Sequence, residues 1–566
     1  MIAAGATPDA QRAFRIAAAF TLAIVIGVAP PAMASGYVVY IPLDSPMYEQ
    51  LDTLNALGYL DDYIDEIKPI SRIEAARLTL EARRNLHESN APDTLAIQMI
   101  ASLKLQLAEE IGWIRHGTVD DRPASIHPVT RAEADYVFSR GASRMWDTGG
   151  RGGLHASEGT PLLPYNDGVP TEAGSNEALR SSGWAGFGSF FTAYGEAVVA
   201  GPMTREPTSG SRVNAIDAEG VLDLGNFAIS AGQEEMWWGT GHFGALSQSD
   251  NATPFPAGRI QNVHPIILPW IFKYLGQCRF QAFFGQLEGD RYFSHPWIDG
   301  EILAFKPTPN FEIGFTHTIM FGGTHNDNYS IPGFLGRATG FATGSPIGAN
   351  TNSRAGVYLK FYFPHLRNLQ VYQEILGEDN LNYEIPGVGR YLPFLAVSYQ
   401  GGFYLPRLTL DGLTDLRFEY AILEPNYSIH GDPLYWTYDA MLMGDAMGPN
   451  ATEVDLQVGR WLPGMTKVSS ELFYTERAPS YGSNTPYPAS VYGTNLTKEH
   501  SVGIAFNALR IPQLERWSHG ALIDGRARLA FEYVDHVNYG AASSMRTLVL
   551  LSMGITPPWK TQEWRQ

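Results

Sequence analysis

From about Ile126 to the C-terminus the chain alternates with a period of two. In Asn310-Phe-Glu-Ile-Gly-Phe-Thr-His-Thr-Ile-Met-Phe321, residues 311, 313, 315, 319 and 321 are apolar, and the even positions are mostly polar or small. Leu416, Phe418, Tyr420 and Ile422 alternate with Arg417 and Glu419. Leu529, Phe531 and Tyr533 alternate with Arg528 and Glu532, and Val502, Ile504 and Phe506 with Gly503 and Ala505. Successive side chains of a strand point to opposite faces, so each run predicts a strand with one apolar and one polar face. Ala132–Phe138 reads the same way, although Thr130 and Glu133 also form a capping box that would start a helix. A soluble sandwich or propeller shares this alternation. Large aromatics recur towards the strand ends and no blade-length repeat is visible, which favours a barrel in lipid. Roughly 430 residues at 20 to 25 per strand and connection make about 16 to 20 strands. Closing them into a barrel leaves no free edge, as lipid demands.

Residues 35–125 follow a different period. Ser45 or Asp44 is placed to cap a helix with Pro46 in its first turn, Tyr48, Leu51, Leu54 and Leu57 on one face, and Gly58 as its stop. Ser71-Arg-Ile-Glu74 is a capping box opening a second helix, and a third begins near Pro92-Asp93 with Ile100, Leu103 and Leu107 on one stripe. These predict a small helical module. Ahead of it, Arg12 and Arg15 flank the apolar run Ile16–Ala29, which is followed by the small-residue site Ala32-Met-Ala34. Residues 1–34 therefore read as a secretory signal peptide, leaving a mature chain of roughly 530 residues.

A net charge of −18 and a pI near 5.2 argue against nucleic acid as a partner. Only 17% of residues are charged, yet mean hydropathy is −0.14, the balance expected when a lipid face and a polar lumen average out. No later stretch offers the ~18 apolar residues of a membrane helix. The single cysteine, Cys278, excludes an internal disulfide and a Cys-rich zinc site, and is expected to be a buried thiol.

Gly239-Thr-Gly241-His-Phe-Gly244 is a literal G-x-G-x-x-G, but Ala245–Pro254 after it is turn material rather than the helix that a dinucleotide site requires. The preceding Trp237-Trp238 offers flat faces for sugar rings, or equally for an interfacial girdle or the barrel wall.

Trp237-Trp238-Gly-Thr-Gly241 with Leu246-Ser-Gln-Ser-Asp-Asn-Ala-Thr-Pro-Phe-Pro256 resembles the Wzi-type capsule assembly proteins of Gram-negative outer membranes. So do Gly159-Thr-Pro-Leu-Leu-Pro-Tyr-Asn166, Leu268-Pro-Trp270, Gly285-Gln-Leu-Glu288, Phe305-Lys-Pro-Thr-Pro309 and Gly377-Glu-Asp379. The resemblance implies an outer-membrane barrel of about eighteen strands spanning residues 126–566, with the helical module at its periplasmic end. It also implies lectin-like attachment of capsular polysaccharide to the cell surface. Outer-membrane lipid, lipopolysaccharide and other capsule-export components are the further partners this implies. The chain departs from common barrel practice after its last strand, Thr547–Ile555, where it continues to Gln566 instead of ending on an aromatic residue.

No G-x-S-x-G and no H-E-x-x-H is present, and no catalytic residue, cofactor or metal is assigned. Glycosidase chemistry needs only two carboxylates, so Glu234, Glu235 and Glu288 stay open on sequence alone. Asp432, Asp445, Asp455 and Glu378-Asp379 lie in or beside turn-like stretches and are expected to be solvated loop residues rather than calcium ligands. The expected polysaccharide-binding residues are Trp237, Trp238, Asn251, Arg259, Glu288 and Arg291, which supply aromatic faces, amides and bidentate donors. For Glu288 and Arg291 a salt-bridged brace across the lumen is the competing role. A porin-type diffusion channel and a secreted polysaccharide enzyme are the alternative functions.

Overall fold

The computed structural model describes residues 37–558 except 90–92, 117–123, 148–154, 170, 189, 204–209, 325, 327–350, 379–396, 426, 429–433, 440, 479–496 and 516–517. The stretch expected to be a signal peptide, the C-terminal tail, Asp379 and Asp432 lie outside these residues.

Among the described residues, four α-helices come first: α1 (Pro46–Ala56), α2 (Arg72–Ser89), α3 (Thr94–Gln106) and α4 (Ala108–His116). Ser45 caps α1, its hydroxyl accepting from the Met47 N–H, and Asp93 caps α3 by accepting from Ala96. The capping box at α2 is only half formed. Ser71 accepts from the Glu74 N–H, but the Glu74 carboxylate turns to Arg77 and His264 instead of back to the Ser71 amide. The third predicted helix is broken at Leu107 into α3 and α4, and Leu107 stays buried.

Eighteen long strands then close a barrel. They are β1 (Ala124–Arg140), β2 (Gly174–Phe187), β3 (Phe191–Met203), β4 (Gly210–Asp223), β5 (Phe227–Gln233), β6 (Pro256–Asn262), β7 (Gln277–Gln286), β8 (Trp297–Thr308) and β9 (Phe311–Phe321). The second half comprises β10 (Thr351–Phe363), β11 (Leu369–Glu378), β12 (Val397–Leu405), β13 (Thr414–Leu423), β14 (Ala451–Leu462), β15 (Thr466–Arg477), β16 (Glu499–Leu514), β17 (Leu522–Asp535) and β18 (Ser544–Thr556). Each pairs antiparallel with its neighbours, and β18 returns to β1 with Val549 opposite Phe138. The stretch at Ala132–Phe138 is thus strand, not helix.

The wall is inverted relative to a soluble protein. Phe315, Leu472 and Val502 are 48%, 53% and 57% exposed on the outside, whereas Glu312, Glu471 and Glu532 on the other face are buried. Outward aromatics also pair across strands, as in the stacked Phe284–Trp297 rings 5.1 Å apart. An apolar exterior over a closed ladder is what a bilayer accepts. Among the described residues, no helix is long and apolar enough to cross a membrane.

The helices sit at the end of the barrel that carries the short turns. Leu51, Leu54, Leu78 and Leu103 share one hydrophobic cluster with Trp461, Met465 and Ile511 of the barrel rim. Polar ties run around that rim. Lys467 pairs with Glu49 (2.8 Å), Arg407 with Asp93 (2.7 Å) and Lys360 with Asp65 (2.6 Å), while the Ser102 hydroxyl donates to the Pro512 carbonyl (2.7 Å).

Candidate functional site

Between β5 and β6 the chain leaves the wall and runs through the lumen from Glu234 to Phe255. Trp237–Trp238 forms a two-residue antiparallel ladder with Ile67–Lys68 from the helical module. Wall carboxylates hold the next turn. Glu374 accepts from the Thr240 N–H (3.3 Å), and Glu419 from both His242 (2.8 Å) and Phe243 (3.0 Å). A Cβ at Gly241 would strike the Gly244 carbonyl and the Gln400 amide, and one at Gly244 would meet the Tyr165 hydroxyl at 2.7 Å. The G-x-G-x-x-G is therefore a close passage of backbone past the barrel wall, not a phosphate cradle.

The connection between β13 and β14 folds inward over this segment. The Ser249 N–H donates to the Met443 carbonyl (2.8 Å), and the Tyr427 hydroxyl donates to the Leu246 carbonyl (2.8 Å). Among the described residues, helices, lumen segment and inward loop thus take up space inside the barrel that a diffusion channel would leave to water.

Among the described residues, several cavities remain inside, and two of them lie beside the lumen segment. One of about 260 Å³ is bounded by Asp52, Lys68, Trp237, His242, Lys360 and Arg417. The other, about 340 Å³, lies between the strap Pro161–Tyr165, Phe243 and the inner face of β14–β17. Glu49, Tyr165 and His242 belong to both, so the two chambers share one partition.

The six expected binding residues do not converge. Trp237 alone lines one of these chambers, half-buried and edge-on to Tyr165 with ring centroids 5.4 Å apart. Trp238 is fully buried; its indole N–H donates to Gln281 (2.5 Å) and its ring lies 5.2 Å from Phe283, leaving no face for a sugar. The Asn251 amide donates to the Leu442 carbonyl (3.0 Å). Arg259 pairs with Glu234 and lies 4.7 Å over the Tyr40 ring. Glu288 and Arg291 pair with each other at 3.5 Å, and Arg291 donates to the carbonyls of Thr437 (2.9 Å) and Tyr435 (2.5 Å). Burial pushes the Glu288 carboxyl up and the Arg291 guanidinium down, each opposed by the partner's charge. This is the bracing role, here joining the β7–β8 connection to the inward loop.

Neither Asp445 nor Asp455 is a solvated loop residue. Asp445 is fully buried and caps the Met447 N–H (2.8 Å), and Asp455 faces the lumen from β14. Cys278 is buried on β7 as expected. Among the described residues, one carboxylate trio, Asp65, Glu66 and Glu312, is close enough to share an ion. Lys360 lies 2.6 and 3.1 Å from Asp65 and Glu66, and Lys306 2.9 Å from Glu312, so ammonium groups already balance the trio.

The larger chamber is built mainly by residues that the sequence reading did not single out: Glu453, Gln457, Glu471 and Arg528 beside Asp455. Their signal was present, because Glu453, Asp455 and Gln457 alternate with Val454, Leu456 and Val458.

Residues 145–518 match the model of the family described as capsule assembly protein Wzi. The chain belongs to the Wzi capsule assembly family. Among solved structures, it is similar to Wzi of Escherichia coli, whose description is an outer membrane protein involved in group 1 capsule assembly and a carbohydrate-binding β-barrel. The two align with a TM-score of 0.61 at 17% identity, covering 93% of this chain and 100% of that one. The outer membrane protein OprD of Pseudomonas aeruginosa aligns over 76% of this chain and 93% of its own, with a TM-score of 0.43 and 9% identity. No curated protein sequence matches the chain.

Proposed function

We propose that this protein is a non-enzymatic, lectin-like barrel of the outer membrane that attaches or organises capsular polysaccharide at the cell surface. Residues 1–34 act as the export signal, 35–125 form a module on the periplasmic side, and 126–566 form the barrel. Lipopolysaccharide and outer-membrane lipid surround the wall, and other capsule-export components meet the periplasmic end.

Membership of the Wzi family carries this reading, and the filled lumen supports it over the porin alternative. A barrel crossed by its own backbone offers little room for diffusion, whereas a rigid plug gives a surface or pocket a fixed geometry. The glycosidase alternative loses its candidates. Glu234 is paired to Arg259, Glu235 accepts from the Leu43 N–H (2.6 Å), and Glu288 is paired to Arg291. Two carboxylates for glycoside hydrolysis need to flank a substrate instead.

The test is deletion of the gene in its native host, followed by quantifying polysaccharide on washed cells and in the medium. A shift from retained to released, at unchanged total synthesis, is the expected result. An unchanged partition would refute the role.

A further inference from the structure

The larger chamber contains a ladder of hydrogen-bonding groups that the fold itself does not use. Glu453, Asp455 and Gln457 project from alternate positions of β14 into this space. Asp455 and Gln457 are 4% and 7% exposed. Among the described residues, no side-chain hydrogen bond or ion pair reaches any of the three. Their polar atoms open onto the chamber, so their hydrogen-bonding capacity is left for water or a ligand there.

Their neighbours are spent. Glu471 takes Arg528 in a two-pronged pair, at 2.9 and 3.0 Å. Lys467 is divided between Glu49 (2.8 Å) and Asp415 (2.9 Å). The Phe473 ring packs over Gly503, where a Cβ would collide with it, and the Phe243 ring forms part of the opposite wall. The chamber thus presents aromatic surface next to free acceptors, with Phe473 directly across the strand pair from Asp455. At about 340 Å³ it stands at the small end of ligand pockets, which run roughly 300 to 1,000 Å³.

We infer that this chamber is a subsite for one sugar residue that carries no acid group, its hydroxyl or ammonium hydrogens donated to Glu453 and Asp455 and its remaining polar atoms met by Gln457. This deepens the polysaccharide reading and rests on it. The lack of a spare cation among the described lining residues decides the sugar class. A uronate carboxylate would face Glu453 and Asp455, while the lining cations Arg528 and Lys467 are already paired. Neutral hexoses and hexosamines meet no such opposition. A chamber of this size takes a chain end or a single-residue branch, not a length of polymer.

The test uses the purified full-length protein in detergent, with saturation-transfer NMR against a panel of neutral hexoses, hexosamines and hexuronates. At least one neutral hexose or hexosamine is expected to bind. Asp455→Asn and Gln457→Ala should weaken it, the former by roughly tenfold, as loss of one hydrogen bond implies. Retention of the folded band in unheated gels checks that both variants keep the barrel. Binding by hexuronates only, binding that survives both substitutions, or no binding across the panel would overturn the subsite. In cells the two readings fail separately. If gene deletion leaves the polysaccharide partition unchanged, the attachment role fails. If deletion releases polysaccharide but the Asp455→Asn strain retains it like the wild type, the subsite alone fails.

Discussion

The wall of the barrel and the helical cap obey opposite burial rules within one chain. In the cap, Leu51, Leu54 and Leu103 are fully buried, and charged residues such as Arg83 and Arg84 face out. In the wall, Leu472, Val502 and Phe531 face out while Glu312, Glu471 and Glu532 face in. Both arrangements come from the same energetics, with apolar surface going where water is absent. The difference is that the cap must make its own water-free interior, whereas the wall is given one by the bilayer. A period of two or of 3.6 thus says which side chains share a face, and the surroundings decide which face is outside.

Matched changes in cap and wall should have very different costs. Leu54→Ala should cost about 2–5 kcal/mol, because it opens a cavity in a packed core. Leu472→Ala, on the lipid face, should cost far less, since acyl chains fill the gap; Leu472→Arg should cost about 2–4 kcal/mol if the position lies near the bilayer midplane. Urea unfolding in liposomes measures all three. Equal costs for the two alanine variants would contradict the inverted wall.

A second prediction concerns the seam between cap and wall. Burial alone would raise the Glu74 carboxyl, but Arg77 and His264 bring it down to about 2 from an ordinary 4.5. A carboxyl depressed in the folded state stabilises above its unfolded value and loses that contribution as pH falls. Stability held by this cluster should therefore be complete above pH 4.5 and disappear between there and about pH 2. The shift corresponds to on the order of 3 kcal/mol. Melting temperature against pH for the wild type and Glu74→Gln checks it, and the variant should lose this part of the acid dependence.

The smallest effect is expected at the exposed Arg460–Asp411 pair, where both side chains are more than two-fifths exposed. Arg460→Ala should leave the melting temperature unchanged, because water and salt screen such pairs. A resolvable loss would show that rim charges contribute as buried ties such as Lys467–Glu49 do.

How far the sequence could be read follows the same division. The strands at Phe311–Phe321 and Thr414–Leu423 were legible because alternation is local, and so was the Ser45 cap of α1. The half-formed capping box was not, because Glu74 is shared between Arg77 and His264, the latter 190 residues away. The lumen segment also hid its role. Its three glycines fit a tight turn anywhere, and only Gln400, Glu374 and Tyr165 against them explain the choice. Among the expected sugar-binding residues, Arg291 finds its acceptors 144 and 146 residues downstream, a pairing that composition cannot foretell. Trp237 needed only to be an aromatic beside the lumen, and it does line a chamber. The β14 ladder was visible as alternation, but that it remained unpartnered depended on where Arg528 and Lys467 were spent.

Cosedimentation of the host's purified surface polysaccharide with liposomes containing the full-length protein decides whether this barrel holds polysaccharide. Polysaccharide should pellet with protein-bearing liposomes in a saturable manner and stay in solution with empty ones, while planar-bilayer recordings of the same preparation show little conductance. Equal polysaccharide in both supernatants, together with stable open channels, would contradict the account and leave a pore in its place.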